Sequence, residues 1–495
     1  MRPRTILDVA RATRGRVLWR GVLPDPEAGA APITGAAIDS REVRPGDLFV
    51  ALPGDRGDGH EFLRDAFARG AAAAIVSGPR AARALEEGAG PLVAVEDPGR
   101  ALLSLAGDER DALGATVVGV TGSSGKTCTK DLTAAVLTTR FRTVWSQASF
   151  NNEIGLPLTI LAAAAETEAV VCEMGARGPG HIRLLCEVAR PRIGVVTNVG
   201  LAHIGLFGSP EAIGEAKAEL PEALPADGTA VLNADDPVVS SYASRTPARA
   251  LRFGLGPDAD VRAGSVKLQP GTGRARFTLV TPSGTAEVAL TVPGQHMVAN
   301  ALAAAAVGHA MGLTPDGIAE GLAAAEVSGG RMDVFVAPGG FRVIDDAYNA
   351  NPASMEAALR AARTVAGGGR LVAVLGEMAE LGGIAAQEHA RVGALVASLG
   401  VHRLLAVGEA AGTIADGALD AGLPSDRVER CGDAAAALRS VTARAREGDV
   451  VLVKASRVAG LDRLAAALRP PGERTTAGAS GSPGPPNLEH TEANA

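Results

Sequence analysis

The stretch Thr121-Gly122-Ser123-Ser124-Gly125-Lys126-Thr127 decides how the fold of this chain is interpreted. It lies between an apolar run, Ala115–Val120, and a segment with helical character, Cys128–Thr138. A glycine-rich turn in that position lets backbone N–H groups approach phosphate oxygens, and the helix N-terminus adds a partial positive charge. Lys126 can reach the outer phosphates of a nucleotide, and the Thr127 hydroxyl can bind Mg²⁺. The stretch therefore predicts a phosphate-binding loop. A glycine-rich turn with an unrelated lysine is the alternative, since Val120 stands where the strict pattern has glycine.

Composition narrows the class of protein. The 495 residues predict about three domains, and a hydrophobic content of 46% supplies several buried cores, which excludes wholesale disorder. Aromatic residues make up 3% and the net charge is -7, so neither base stacking nor overall charge favours a nucleic-acid partner.

The chain also carries the marks of a cytoplasmic protein. Its four cysteines form no CxxC pair and are expected to be reduced thiols. The N-terminus lacks the apolar segment of a signal peptide, and no apolar stretch reaches about 18 residues, so no membrane insertion is expected.

Apolar runs alternate with alanine-rich helical runs along most of the sequence, which predicts an α/β fold with parallel sheets. We divide the chain into a first block at 1–112, a second at 113–326 and a third at 327–469. The Pro/Gly/Ser/Thr-rich segment 470–495 has no apolar period and is predicted to be a disordered tail.

Polar residues follow two apolar runs of the second block. Glu173 ends one run and His203 follows another, and ligands bind at the carboxyl ends of parallel strands. Glu173 is a candidate Mg²⁺ ligand or a helix-capping glutamate, and His203 is a candidate ligand of metal or phosphate or a structural hydrogen-bonding residue. Lys217 lies in a predicted helix, and nothing local distinguishes it from a surface lysine.

Two further turns carry polar groups. The sequence after the run at Phe341, from Asp345 to Pro352, predicts a polar strand-to-helix turn that binds a ligand, or one that uses Asn and Pro for its own geometry. Asp39-Ser40-Arg41 lies between two short predicted strands. Arg41 can pair with phosphate or carboxylate, although a plain turn is the simpler interpretation.

Taken in order, these segments resemble the Mur ligase family of ATP-dependent amide-forming enzymes. The resemblance runs from Asp39 to Gly460, and its specificity lies in the order of the segments rather than in any one of them. The segments are DSR at 39–41, TGSSGKT at 121–127, NNEIG at 151–155, EMG at 173–175, NVGLAH at 198–203, AKAE at 216–219, DDAYNANP at 345–352, GEMAELG at 376–382 and KASR at 454–457. Two mild departures are Ala455, where a glycine is common, and the Ser123-Ser124 pair of the loop.

The resemblance implies three domains: a small N-terminal α/β domain that binds a UDP-sugar, a central P-loop ATPase-like domain, and a C-terminal Rossmann-like ligase domain. It implies that ATP phosphorylates the terminal carboxylate of UDP-N-acetylmuramoyl-tripeptide. The acyl phosphate then reacts with the amine of D-alanyl-D-alanine, giving the muramoyl-pentapeptide precursor of peptidoglycan, ADP and phosphate. A Mur-type ligase with another acceptor, and a non-catalytic nucleotide-binding regulator, are the alternatives.

The resemblance also implies roles for particular residues in a monomeric enzyme with two Mg²⁺ sites. Residues 121–128 (Thr121, Gly122, Ser123, Ser124, Gly125, Lys126, Thr127 and Cys128) would hold ATP, with Asn300 on the adenine and Arg331 and Asp345 on the nucleotide from the third domain. Thr127 and Glu173 would bind one Mg²⁺, and His203 and a carbamylated Lys217 would bind the other. Lys126, His203 and Lys217 would be catalytic. Ser40 and Arg41 would hold the UDP-sugar, Asn151 and Asn152 the muramoyl peptide, and Tyr348, Asn349 and Asn351 the dipeptide. Gly329-Gly330 would be the hinge of domain closure.

Overall fold

Three β-sheets follow one another along the chain, of five, nine and six strands. A computed structural model describes residues 1–19, 32–54, 57–86 and 90–472. Helices pack against each sheet, so the predicted α/β class is confirmed. The tail expected from 470 lies, from 473 onwards, outside the described residues. No helix in the part that the structure describes is long and apolar enough to cross a bilayer.

The first sheet has the order β1-β5-β4-β3-β2, with β2 to β5 parallel and β1 antiparallel to β5. Its strands are β1 (Arg16–Leu18), β2 (Gly35–Ala37), β3 (Asp47–Val50), β4 (Ala73–Ser77) and β5 (Leu92–Val95), and its helices are α1 (Ile6–Thr13), α2 (Leu63–Ala68), α3 (Gly78–Glu86) and α4 (Pro98–Ala112). Every residue of β5 is buried, as expected for a parallel strand covered on both faces.

The second sheet has the order β14-β13-β12-β11-β10-β9-β6-β8-β7, in which β6 to β12 are parallel and β12 to β14 form an antiparallel meander. Its strands are β6 (Thr116–Thr121), β7 (Thr143–Trp145), β8 (Ala169–Glu173), β9 (Ile193–Val196), β10 (Thr229–Asn233), β11 (Arg249–Gly254), β12 (Val261–Leu268), β13 (Arg274–Thr281) and β14 (Gly284–Pro293). Its helices are α5 (Lys126–Thr138), α6 (Gly155–Leu161), α7 (His181–Ala189), α8 (Ile204–Phe207), α9 (Pro210–Glu222), α10 (Pro237–Ser241), α11 (His296–Ala310) and α12 (Pro315–Ala324).

The third sheet has the order β15-β16-β20-β17-β18-β19, and only β15 runs antiparallel to its neighbour. Its strands are β15 (Asp333–Val336), β16 (Arg342–Asp345), β17 (Leu371–Leu375), β18 (Arg403–Val407), β19 (Val428–Cys431) and β20 (Val450–Lys454), and its helices are α13 (Pro352–Ala366), α14 (Ala385–Ser398), α15 (Gly412–Asp420), α16 (Ala434–Arg444) and α17 (Asp462–Leu468). Helices α14 and α15 approach so closely that a Cβ on Gly393 would lie 2.1 Å from the carbonyl oxygen of Ile414.

Helix α4 connects the first two sheets. It packs against α1 on one side and against α6 and α7 on the other, so that one part of the core of each sheet belongs to a single continuous hydrophobic cluster. The N-terminal segment is tied to the same helix, because Arg4 forms an ion pair of 2.6 Å with the fully buried Glu109. Arg4 also pairs with Asp108 at 2.7 Å.

We expect Arg4→Met to lower the free energy of unfolding by about 3 kcal/mol, because it leaves the Glu109 carboxylate buried without its main partner. The double variant Arg4→Met/Glu109→Leu should recover most of that loss. Urea unfolding followed by circular dichroism measures both, with Arg11→Met as the control, since the Arg11 side chain is 80% exposed. Equal stability of Arg4→Met and the control would contradict the assignment.

Candidate functional site

The phosphate loop predicted from the sequence lies between β6 and α5. Gly122 and Gly125 have φ values of +146° and +77°, and a Cβ on Gly122 would lie 1.9 Å from Thr197 Oγ1. The segment after β9 supports the loop, because Thr197 Oγ1 donates to the Ser124 carbonyl at 2.7 Å and Asn198 Oδ1 accepts from Ser124 N at 3.0 Å. Helix α5 starts at Lys126, two residues earlier than predicted, so Lys126 and Thr127 belong to its first turn.

The ends of α5 and β8 place a hydroxyl, a carboxylate and an amide together. Thr127 Oγ1 donates to Glu173 Oε2 at 2.7 Å, and Asn151 Nδ2 donates to Glu173 Oε1 at 2.8 Å. Glu173 is 1% exposed. Oxygen donors of this kind suit Mg²⁺, which is commonly held by one or two carboxylates together with phosphates and water. Such a site needs no cluster of three or more His, Cys, Asp or Glu side chains, because phosphates and water supply the other ligands. The described residues contain no cluster of that kind.

Lys217 is buried, so the interpretation as a surface lysine is wrong. Its residue is 3% exposed in α9, and burial, followed by the charge of Lys126, lowers its pKa to about 7. Among the described residues its ammonium group contacts only the ring face of Phe207, at 6.0 Å. Glu219, two residues further along α9, accepts from the N–H groups of Gly180 and Arg183, and its charge opposes the lowering of the Lys217 pKa. Among the described residues, no carboxylate forms an ion pair or a hydrogen bond with the amine of Lys217.

The charges of Lys126 and Lys217 also act on the imidazole ring of His203. Burial lowers its pKa, the Glu380 carboxylate in contact with its Nδ1 opposes this, and the charges of Lys126 and Lys217 lower it further. Lys126 donates to the Gly122 carbonyl at 2.7 Å, and burial lowers its pKa. The structure thus brings together Lys126, His203 and Lys217, which the sequence separates by up to 91 positions.

The third sheet supplies an arginine and a tyrosine to this region. The Arg331 guanidinium lies 3.9 Å from the ring centroid of Tyr348, a stacking arrangement, and the Tyr348 hydroxyl contacts Ser149 Oγ of the central part of the chain. The charge of Arg331 acts on Lys126 and Cys128, which places it beside the phosphate loop.

The predicted role of Asp345 as a nucleotide contact stays a prediction, and the groups found around its carboxylate belong to the third sheet and its flanking segments. Asp345 accepts from Ala347 N and lies near Asp333 and Arg469, and burial raises its pKa to about 6. The next residue, Asp346, accepts from Met332 N at 3.1 Å and pairs with Lys454 at 2.6 Å, and its charge acts on Cys128 in α5. Successive side chains at a strand end point to opposite faces, so these two adjacent carboxylates have different neighbours.

The asparagines predicted in the site differ in what they do. Asn152 Oδ1 accepts from Gly155 N at 2.9 Å and so closes the turn before α6, and Asn351 caps α13 by accepting from Ser354 N at 2.9 Å. Asn349 Oδ1 accepts from Ala350 N within the turn. The contacts of Asn349 and Asn351 fit the alternative of local turn geometry predicted for their turn, and Asn152 has a similar local contact; the predicted ligand roles of all three stay predictions.

Asn300 of α11, by contrast, lies against the phosphate loop, since a Cβ on Gly125 would be 2.5 Å from its Oδ1. Its amide also lies near Thr129 of α5, at 3.4 Å.

Ser40 and Arg41 stand apart from this group. Ser40 is buried, whereas Arg41 has an 82% exposed side chain that pairs with Asp39 at 2.5 Å, which holds the pKa of Asp39 at about 2. In the described parts of the chain, no hydrogen bond or ion pair joins either residue to the phosphate loop.

Three further residues of the site had no predicted role, although each lies in one of the segments that carry the family resemblance: Asn198, Glu380 and Lys454. Asn198 supports the phosphate loop, Glu380 contacts His203, and Lys454 pairs with Asp346. Their position directly after strands or within those segments was the available signal.

Comparison with known proteins defines the class. The "Mur ligase family, catalytic domain" matches residues 32–109, the "Mur ligase middle domain" 120–308 and the "Mur ligase, glutamate ligase domain" 330–457. The chain belongs to the Mur ligase family.

Individual relatives resemble it over nearly its whole length. It is 43% identical to the UDP-N-acetylmuramoyl-tripeptide–D-alanyl-D-alanine ligase of Mycobacterium tuberculosis, over 94% of this chain and 97% of the relative. Among solved structures it is similar to MurF from Acinetobacter baumannii, with a TM-score of 0.81, 29% identity and coverage of 94% and 98%. It is also similar to the MurF ligase of Thermotoga maritima in complex with ADP, with a TM-score of 0.74, 30% identity and coverage of 88% and 96%.

The raised pKa of Asp345 gives a pH dependence of stability. The folded protein holds this proton more tightly than the unfolded chain, so the stabilising contribution is full below about pH 4 and is lost as pH rises through about 6. We expect Asp345→Asn to remove that decline and to be more stable than the parent at pH 7.5 by up to about 3 kcal/mol.

Urea unfolding at pH 4.5 and 7.5 measures the difference, with the exposed Asp426→Asn as the control. A gain for Asp345→Asn that is the same at both pH values would rule out this titration as its cause.

Proposed function

We propose that this chain joins D-alanyl-D-alanine to UDP-N-acetylmuramoyl-tripeptide at the expense of ATP, the reaction in the name of its relatives. The observation that carries the proposal is that the charges of Lys126, beside the phosphate loop, and Lys217 of α9 both act on His203. The charge of Arg331 of the third domain acts in turn on Lys126. Such a gathering of cations suits two anionic reactants, the triphosphate and the carboxylate that it phosphorylates.

ATP binds at the phosphate loop, as the ADP complex of the Thermotoga relative supports. Lys126 and the N-terminus of α5 hold the outer phosphates, and residues 121–128 with Asn300 form the rest of the nucleotide site. Thr127 and Glu173 are the residues that hold one Mg²⁺, and bound Mg²⁺ offsets the phosphate charge. Asp346, rather than Asp345, serves the nucleotide from the third domain together with Arg331.

Lys217 serves the second Mg²⁺ with His203 after carbamylation. A pKa of about 7 leaves much of the amine neutral at physiological pH, and a neutral amine can form a carbamate with CO₂ while releasing one proton. Burial without a carboxylate partner supports this role, because carbamylation replaces an unfavourable buried cation with an anion that a metal accepts.

Each of the three parts of the chain binds a different reactant, and the reaction takes place in the cytoplasm. Residues 1–112 hold the UDP-sugar through Ser40 and Arg41, residues 113–326 hold ATP and, through Asn151, the muramoyl peptide, and residues 327–469 present the dipeptide near Tyr348. Closure of the third domain excludes water from the acyl phosphate, with Gly329-Gly330 as the hinge. Ser328 and Asp131 fasten the chain just before this hinge, through hydrogen bonds of 2.8 Å from Ser328 N and Oγ.

The assay that tests the reaction is phosphate release from ATP. We expect release to require both UDP-N-acetylmuramoyl-tripeptide and D-alanyl-D-alanine, with a pentapeptide product found by mass spectrometry. Lys126→Ala should lower turnover by about 10²-fold or more, because the transferring phosphoryl group loses a positioned cation. The matched control is Lys267→Ala, which removes an exposed lysine of β12.

Two outcomes would contradict the assignment. Stimulation by a single amino acid and not by D-alanyl-D-alanine would favour a Mur-type ligase with another acceptor. Unchanged turnover of Lys126→Ala would exclude the phosphate loop as the site of transfer.

Carbamylation has its own test. With ¹³C-bicarbonate we expect one carbamate carbonyl resonance that Lys217→Ala removes and Lys267→Ala retains. Depletion of CO₂ should lower turnover reversibly, since the amine alone is a cation or a neutral donor rather than an anionic ligand. A resonance that persists in Lys217→Ala would show that the carbamate forms elsewhere.

A further inference from the structure

Glu380 of the third domain makes a contact with the central domain that the proposed function leaves unused. Its carboxylate meets Nδ1 of His203, and its backbone carbonyl accepts a hydrogen bond of 2.9 Å from Gly205 N. The chains approach so closely here that a Cβ on Gly382 would lie 3.0 Å from the Cα of Gly205. The side-chain contact is therefore fixed by a backbone contact directly beside it.

Both members of the pair have an unusual backbone conformation. His203 has a φ of +62° and Glu380 a φ of +61°, in the left-handed region that non-glycine residues seldom occupy. Such residues persist where the surrounding structure holds them, and they are concentrated at functional sites. Here one stands on each side of a domain contact, and each presents its side chain to the other.

The chemistry of the pair is that of an oriented metal ligand. A histidine that binds a metal through one ring nitrogen commonly donates the other N–H to a carboxylate, which fixes the tautomer and raises the basicity of the ligating nitrogen. A carboxylate on Nδ1 would leave Nε2 as the ligating atom. Three charged groups act on His203, and two of them, Lys126 and Lys217, are cations. Glu380 therefore supplies the negative charge beside the ring.

We propose that Glu380 is a positioning residue, which orients His203 for the second metal and reaches it only when the third domain docks on the central domain. This rests on the proposed function, since it assumes that His203 is a metal ligand. It makes docking of the acceptor-binding domain a condition for a competent metal site. Phosphoryl transfer before the acceptor domain has closed would then be suppressed.

The test uses the full chain and Mn²⁺ as a spectroscopic probe. Mn²⁺ binding in the presence of a non-hydrolysable ATP analogue is followed by electron paramagnetic resonance. We expect Glu380→Ala to weaken one of two Mn²⁺ sites by about 10- to 100-fold and to leave the other unchanged. Glu380→Gln, which keeps an acceptor oxygen, should fall between Glu380→Ala and the parent. Glu409→Gln removes an exposed carboxylate of the same domain and is the matched control.

A second measurement reports the ring directly. The protein has eight histidines, and with ¹⁵N-labelled histidine the resonances of His203 are assigned by their absence in His203→Gln. We expect the Nδ1–H tautomer in the parent with the analogue bound, and a mixture of tautomers in Glu380→Ala. In the assay, Glu380→Ala should lower kcat more than it raises KM for the dipeptide, with partial recovery in Glu380→Gln.

Three results separate the possibilities. Unchanged Mn²⁺ affinity and an unchanged His203 tautomer in Glu380→Ala would overturn the proposal, whatever happens to turnover. A loss confined to KM for the dipeptide would assign Glu380 to domain docking alone and would also overturn it. If the parent protein itself fails to release phosphate with both substrates, the proposed function fails, and the Mn²⁺ and tautomer results still judge the Glu380–His203 pair by themselves.

Discussion

The site depends on a pairing between the first turn of α5 and the end of β8, where Thr127 donates to Glu173. The pairing forms because β6 and β8 are parallel neighbours, so that the loop after one strand and the terminal carboxylate of the other meet at the same sheet edge. The small residues of the loop let the segment after β9 close over it, and that segment leads directly to His203. A change in the order of these three strands would separate the phosphate loop from every other group of the site.

Cationic side chains act on one another around this edge, since the charge of Lys126 lowers the pKa of Lys217 and the charge of Arg331 lowers that of Lys126. Burial lowers the pKa of both Lys126 and Lys217. A site of this kind is unfavourable by itself and becomes favourable when anions enter it. The function thus uses the same electrostatic imbalance that lowers the stability of the folded chain, as is common at active sites.

Much of this arrangement could be predicted from the sequence, and what could not has identifiable causes. The strand–loop–helix unit at 121–127 and the strand-end position of Glu173 were readable because they are local patterns of apolar runs and turn residues. Nothing in the local sequence around Lys217 reveals that it is buried, because its burial depends on the packing of α9 against other elements, α8 among them. Two adjacent carboxylates look alike in the sequence, and only the structure shows that Asp346, and not Asp345, pairs with Lys454.

The sequence by itself determined the α/β class, the order of the parts and the family, since these follow from periodicity and from motifs that occur in a fixed order. Only the tertiary structure decided which charged groups meet. Burial, shared charge and left-handed backbone conformations arise from segments far apart in the chain, as in the contact of His203 with Glu380, 177 positions away. A side chain's chemistry depends on the solvent and charges around it, and those neighbours are fixed by packing rather than by adjacent residues.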